Sequence, residues 1–235
     1  MNSECCTLPP CSSDYVAKGS EIVLGDLPAY ITGDKQSTKA IVFVYDIFGY
    51  HPNTKQVADL LASRGFFVIM PDFFRGEPWN TTPFEMAELV AFLGKRVPPE
   101  VIERDTQTAV EYLKAQGVTS IGSVGLCWGG LQTFRGGIAG HFAAVASAHP
   151  SMLNADIARA LNIPACLLPS KTDADFTEFF EILNAKPFGA KNVHQRFDDM
   201  HHGWCGARSD FADPLNAQRT SEAVSILAKF FHNTL

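Results

Sequence analysis

Gly125-Leu126-Cys127-Trp128-Gly129-Gly130 has the form glycine, any residue, nucleophile, any residue, glycine, with a thiol at the nucleophile position. Residues 120–124 before it read as a short strand, and residues 131–140 after it read as a segment that starts as a helix. A turn from strand to helix of this kind strains its central residue and lifts its side chain above the sheet edge. The flanking glycines remove the side chains that would collide there. The N-terminal end of the following helix favours negative charge, which lowers the cost of a thiolate. The competing reading is a buried cysteine in a glycine-rich turn.

A cysteine nucleophile needs a base and a group that orients the base. In open α/β sheets ligands gather at the carboxyl ends of the strands, so polar residues just beyond the predicted strands are the candidates. They are Asp46, Asp72 with Arg75, Cys127, His149, Asp173 with Asp175, and His202. Cysteine, aspartate and histidine occur in the chain order of nucleophile, acid and base that α/β-hydrolases use. Cys127 would attack a carbonyl carbon, and His202 would take the thiol proton and return it to the leaving group. Asp173 would hold the imidazole in its working tautomer. Each has a neighbour in competition. His201 precedes His202, but Gly203 permits a tight loop after the latter. Asp175 rivals Asp173, or else caps the helix expected from residue 176. The oxyanion hole would use the amide of Trp128, next after the nucleophile. Its second amide would come from the loop after the strand at 40–45, where Ile47 is the candidate. His141 reads as a surface residue and His194 as structural; His51, Cys166 and Cys205 receive no catalytic role.

The elements that must position these groups alternate. Residues 21–24 and 29–32 flank a Gly25-Asp26-Leu27-Pro28 turn and predict an antiparallel edge. Apolar runs at 40–45 and 66–70 enclose a helix over 53–64, a strand-helix-strand unit that implies parallel pairing with a right-handed crossover. Helices are expected over 84–93, 101–116, 176–183 and 215–231, and further strands over 142–148, 163–168 and 193–197. The class is therefore α/β, with a mainly parallel central sheet and helices on both faces. Residues 1–19, with Pro9-Pro10 and Ser12-Ser13, read as an irregular lead-in, and 20–235 as a single domain.

Composition narrows the function classes. With 46% hydrophobic residues the chain can bury a sizeable core, and a net charge of −6 without a basic stretch excludes general nucleic-acid binding. No apolar run is long enough to span a membrane, and Met1-Asn2-Ser3-Glu4-Cys5-Cys6 lacks the layout of a secretory signal, so a cytoplasmic location is expected. Cys5, Cys6 and Cys11 supply three thiols with no nearby histidine, short of a four-ligand zinc set.

Four motifs carry a resemblance: Asp46-Ile47-Phe48-Gly49, Pro71-Asp72-Phe73-Phe74-Arg75-Gly76, the hexapeptide around Cys127, and His202-Gly203-Trp204 followed by Arg208. In this order and at these strand ends, the chain resembles the dienelactone hydrolases (carboxymethylenebutenolidases), from about residue 19 to the end. Its N-terminal cysteines are similar to those of fungal-type members. The resemblance implies an α/β-hydrolase fold, the triad Cys127, Asp173 and His202, and oxyanion donors Ile47 and Trp128. It further implies that Asp46 takes the place of a glutamate that helps control thiolate formation, one methylene shorter. It implies Arg75 and Arg208 as binders of a substrate carboxylate, for which an arginine fork is suited. His149, Phe48, Trp79, Trp128 and Trp204 are candidates to shape the pocket. The expectation is a hydrolase of small esters or lactones that works through a thioester and needs no metal or organic cofactor. Rival readings are a thioesterase or peptidase for larger acyl groups, and a non-catalytic redox or binding module.

Overall fold

The computed structural model describes residues 8–81 and 85–235. Eight strands form one sheet: β1 (Ser20–Leu24), β2 (Leu27–Thr32), β3 (Lys39–Val44), β4 (Phe67–Pro71), β5 (Ser120–Leu126), β6 (Ala144–Ala148), β7 (Ala165–Leu168) and β8 (Val193–His194). Their order is β1-β2-β4-β3-β5-β6-β7-β8. β1 and β2 pair antiparallel at one edge, β2 runs antiparallel to β4, and the remaining neighbours are parallel. The helices are α1 (Pro52–Ala62), α2 (Met86–Arg96), α3 (Pro99–Ala115), α4 (Trp128–Ile138), α5 (Ala155–Ala160), α6 (Thr177–Asn184) and α7 (Pro214–Thr234).

The central strands are apolar on both faces because helices cover both. Ala40 to Val44, Phe67 to Met70 and Val145 to Ala148 are all buried. On one side α1 packs against α7; on the other, α3, α4, α5 and α6 form a continuous layer. All six strands from β3 to β8 point the same way, so their carboxyl ends open onto one edge. The register then aligns the residues beyond them. Val44 lies opposite Gly125, Leu126 opposite Ala148, and Ala148 opposite Leu168. Two bonds continue this ladder past the strand ends, Cys127 N–H to the Ala148 carbonyl at 3.4 Å and His149 N–H to the Leu168 carbonyl at 2.9 Å.

The expected antiparallel edge and parallel unit are both present. The expected strand over 193–197 is regular for only two residues. Beyond His194 the chain follows β7 by single bonds, Gln195 N–H to Leu167 and Phe197 N–H to Pro169, with an isolated bridge between Ser170 and Phe197. α5 adds to the expected helices; it is six residues long, and the Asn154 side chain caps it by accepting from the Ile157 amide. The helix expected from residue 84 starts at Met86, residue 84 itself lying outside the described residues. Residues 8–19 contain no helix or strand. Asp59 holds the end of that segment, accepting from the Tyr15 hydroxyl at 2.8 Å and the Lys18 amide at 2.9 Å. Cys5 and Cys6 lie outside the described residues, and among those described no group of three or more metal-ligating side chains occurs. No described helix is long and apolar enough to cross a membrane.

Candidate active site

Cys127 sits between β5 and α4 with φ 53° and ψ −116°, a conformation rarely held by a residue with a Cβ. The neighbouring glycines are required by contact. A Cβ on Gly125 would lie 2.1 Å from the Gly129 carbonyl oxygen, one on Gly129 2.4 Å from the Val44 oxygen, and one on Gly130 2.5 Å from the Ser147 hydroxyl. α4 therefore starts pressed against the carboxyl end of β3. The Trp128 ring fixes this junction from the side, packing on Phe74 at 5.1 Å and on Tyr45 at 6.5 Å between ring centres. Tyr45 in turn donates to Asp72 at 2.8 Å and accepts from the Phe74 amide at 2.7 Å.

Two peptide planes at this junction have defined directions. The Cys127 carbonyl accepts from Gly130 N–H at 3.0 Å and from Ser151 N–H at 3.1 Å. The Trp128 N–H lies on the same trans peptide and so points the opposite way. The Asp46 carbonyl likewise accepts from Gly49 N–H at 3.2 Å, which turns the Ile47 N–H away from that turn.

His202 and Asp173 are brought together. The His202 Nδ1 and Asp173 Oδ1 atoms are 2.5 Å apart, and both side chains are almost fully buried. The second oxygen of Asp173 accepts from the Ser170 amide at 2.6 Å. Burial opposes ionisation of Asp173, but the His202 hydrogen bond and charge outweigh it and hold the carboxyl below its ordinary value. Arg196 braces this loop by donating to the carbonyls of Ser170, Asp173 and Ala174. Asp175 does something else: it accepts from the Thr177 amide at 2.9 Å and hydroxyl at 2.7 Å, in a local turn just before α6. His201 turns its Nδ1 to the His202 carbonyl at 2.9 Å. Gly203 has φ +94°, and a Cβ there would press on Arg208 Cδ at 2.8 Å.

His149 is wholly buried at φ 38°, edge-on to the His202 ring at 5.1 Å. Neither of its ring nitrogens has a hydrogen-bond partner among the described residues. Burial first, and then the charge of His202, hold it neutral. Asp46 is also buried. One oxygen accepts from Phe48 N–H at 2.9 Å and the other from Ala207 N–H at 3.0 Å, which ties the loop after β3 to the loop after His202. Burial raises its pKa, against the pull of the two amides and of Arg208. A Cβ on Gly206 would come within 2.6 Å of this carboxylate, so glycine is needed there.

The two arginines differ. Arg208 is 3% exposed, stacks 5.0 Å over the Phe48 ring and donates through Nε to the Leu8 carbonyl at 2.6 Å. Arg75 instead forks onto the buried Asp105 at 2.6 and 3.0 Å and reaches Asp26 at 3.2 Å. Its guanidinium is thus engaged by two carboxylates of the protein, the salt-bridge geometry. Trp204 is fully buried against Phe197, and Trp79 packs on Phe92. His51 caps α1, His141 pairs with Glu103 at 2.6 Å, and His194 stacks on Phe180. Burial pushes the Cys205 thiol up to about 12 and raises that of Cys166 further, so neither supplies a thiolate.

Sequence reasoning gave no role to Ser151. Its hydroxyl lies 3.6 Å from the Cys127 sulfur. With Met152, Leu153, Asp173, Phe176 and His202 it lines a cavity of about 70 Å³. The available signal was its place two residues beyond His149, at the end of β6.

Comparison with known proteins agrees with this architecture. The model of the dienelactone hydrolase family matches residues 27–235. An uncharacterised AIM2 family protein of Schizosaccharomyces pombe is 33% identical over 239 residues, covering 95% of this chain and 94% of that protein. The hydrolase pyvD of Aspergillus violaceofuscus is 32% identical over 174 residues, 73% of this chain and 71% of that one. A carboxymethylenebutenolidase homolog of Xenopus tropicalis is 39% identical over 140 residues, 57% and 56% of the two chains. Among solved structures, a dienelactone hydrolase-like promiscuous phosphotriesterase from metagenomic libraries superposes with a TM-score of 0.65 at 17% identity, over 93% of this chain and 98% of that one. A dienelactone hydrolase from Anabaena variabilis gives 0.62 at 14%, over 92% and 97%. These last two likenesses bear on the fold, which is that of the α/β-hydrolases.

Proposed function

Because this chain belongs to the dienelactone hydrolase family and is an ester-bond hydrolase, we propose that Cys127 is its nucleophile, His202 its general base and Asp173 the residue that orients the base. The substrate class is a small ester or lactone. The observation that carries the reading is the buried Asp173–His202 hydrogen bond, which shares a cavity with Ser151, the neighbour of a cysteine held at positive φ. Asp173 accepts the Nδ1 proton, which leaves Nε2 as the basic nitrogen. His202 removes the thiol proton, and the sulfur attacks the carbonyl carbon. The oxyanion is held by the N–H groups of Ile47 and Trp128, whose peptide planes are set by the bonds described above. Collapse expels the alcohol, which takes its proton from His202 and leaves a thioester. In a lactone the alcohol stays tethered as the opened ring. Water activated by His202 then releases the acid and restores the thiol.

The surrounding groups have supporting roles in this scheme. His149 stays neutral beside His202 and adds no positive charge that would oppose protonation of the base. Asp46 fixes the oxyanion loop through its two amide bonds and is the acidic group available to influence the thiol. Arg208 is the remaining candidate for a substrate carboxylate, which would meet a guanidinium already leaning on the Leu8 carbonyl. Arg75 serves the fold through Asp105. An oriented histidine favours hydrolysis over a redox or binding module, for which no base is needed.

The test is single turnover with a panel of aryl esters, thioesters and unsaturated lactones, followed by mass spectrometry. A transient acyl adduct on Cys127 is expected, absent in Cys127→Ala along with turnover. Full turnover by Cys127→Ala would sink the mechanism.

A further inference from the structure

The loop after β6 carries more conformational strain than its length explains. Within residues 149–152, His149 has φ 38° and Met152 φ 63°, neither of them glycine. Positive φ at residues with a Cβ costs energy and persists where the surroundings enforce it, most often at functional sites. Here the enforcement is visible. His149 N–H is held by the Leu168 carbonyl, and Ser151 N–H is held by the Cys127 carbonyl at 3.1 Å. The second bond ties the backbone of Ser151 to the backbone of the elbow. Pro150 between the two anchors fixes its own φ and restricts His149.

The product of this anchoring is a short contact between side chains. The Ser151 Oγ lies 3.6 Å from the Cys127 Sγ, and both residues are buried. Among the described residues the hydroxyl has no other partner. A hydroxyl can donate one hydrogen bond and accept others, so a serine aimed at sulfur can serve either the thiol or the thiolate. Only the thiolate requires a donor. The neighbours of the pair make this distinction matter. The Cys127 amide is spent on the Ala148 carbonyl, and a buried anionic sulfur gains from each hydrogen bond it accepts.

We propose that Ser151 is a catalytic residue that donates a hydrogen bond from its hydroxyl to the Cys127 sulfur, stabilising the thiolate before attack and the departing thiolate when the thioester is hydrolysed. The proposal rests on the reading of Cys127 as the nucleophile. The backbone bonds of His149 to Leu168 and of Ser151 to Cys127 hold the residue that carries this hydroxyl against the elbow. The other ionisable groups gathered at this end of the sheet are His202 and Asp173, His149 from the same loop as Ser151, Asp46 after β3, and Arg208. A Ser151→Ala change leaves all of them in place.

The experiment measures the sulfur directly rather than through turnover. Wild type and Ser151→Ala are alkylated with iodoacetamide across a pH range, and modification at Cys127 is followed by peptide mass spectrometry to separate it from Cys5, Cys6 and Cys11. Loss of one donor to a charged sulfur should move the midpoint of Cys127 alkylation upward by about one pH unit and slow alkylation below it by about tenfold. kcat for ester turnover should fall by a similar factor. Ser151→Thr, which keeps the hydroxyl, should restore both. An unchanged midpoint overturns the proposal. A midpoint moved downward also overturns it, because the hydroxyl would then be accepting from the thiol. Failure of the nucleophile assignment is separately visible, since Cys127→Ala would keep its turnover while the alkylation midpoints still report on the contact.

Discussion

Replacing Gly129 with alanine sets two effects of opposite sign against each other. Gly129 is the second residue of α4, and helix propensity alone favours alanine there by at most ~1 kcal/mol. The geometry opposes this. The added Cβ would sit 2.4 Å from the Val44 carbonyl oxygen and 2.5 Å from that of Tyr45, whereas real Cβ contacts keep to 3.0 Å or more. The obstructing atoms are backbone of a central strand, so no side chain can swing aside. α4 must retreat from β3 instead. Overpacking of this kind costs about 1–3 kcal/mol, so the net change should be a loss of about 1 kcal/mol. The effect on rate should be larger than the effect on stability. The Trp128 amide, the proposed oxyanion donor, moves with the helix start, and displacing such a donor by a fraction of an ångström costs on the order of 10–100-fold in kcat. Urea unfolding and steady-state kinetics measure the two separately. Gly94→Ala is the control, since Gly94 lies in α2 with nothing within 4 Å of its Cβ position, and there alanine should stabilise by up to ~1 kcal/mol. A Gly129→Ala protein as stabilised as the control and with unchanged kcat would refute the claim that this glycine sets the spacing of elbow and β3.

Other perturbations separate roles within the site. Asp173→Asn should keep the fold and lower kcat by about 10³–10⁴-fold, through the wrong tautomer of His202. Asp175→Ala should lower stability slightly, through loss of the two bonds from Thr177, and leave kcat within a factor of about two; the converse result would exchange the two residues. Arg75→Ala should lower stability by about 1–3 kcal/mol, because among the described residues buried Asp105 then keeps only Arg104 as a charged partner, while KM for substrates with and without a carboxylate should change alike. A selective rise in KM for carboxylate substrates would return Arg75 to the binding site. Asp173 also predicts a pH dependence. Its folded pKa is depressed below the ordinary 3.8, so its contribution to stability is present above that value and lost as pH falls through the folded value. Unfolding below about pH 4 should therefore be steeper in wild type than in Asp173→Asn.

The central sheet was legible because its strands are buried on both faces and read as unbroken apolar runs, such as 40–45 and 66–70. α5 is not legible in the sequence because six residues beginning Ala-Asp-Ile give no helical period; only the Asn154 cap marks it. β8 is shorter than its β-forming sequence implies because residues 195–197 stay beside β7 without forming a ladder, while Arg196 turns to the Asp173 loop. Candidate site residues with a strong chemical signature, Cys127 and His202, could be found by their type and the glycines around them. Which of Asp173 and Asp175 bonds to His202 is visible only in the hydrogen bonds. The engagement of Arg75 was out of reach, since its partner Asp105 lies 30 residues on, on the face of a helix. Ser151 was invisible for a different reason: serine at a strand end is common, and nothing in sequence reports a distance to sulfur.

The contacts of residues 8–11 bear on the order in which the molecule comes apart. The Cys11 amide donates to the Ala207 carbonyl, and its thiol donates to the Arg208 carbonyl 197 positions away. The Asn53 side chain joins them, donating to the carbonyls of Cys11, Ala207 and Ser209. Such distant contacts add little until everything between them is in place, so they form late and are the first to be released. Hydrogen exchange would record this as early loss of protection at the Cys11 amide, while the amides of β3 and β5 exchange only with global unfolding. The loop carrying Ala207 and Arg208, which also supplies one of the two amides gripping Asp46, would then be loosened by an opening much smaller than denaturation. A mild denaturant should thus silence the enzyme before it unfolds the sheet.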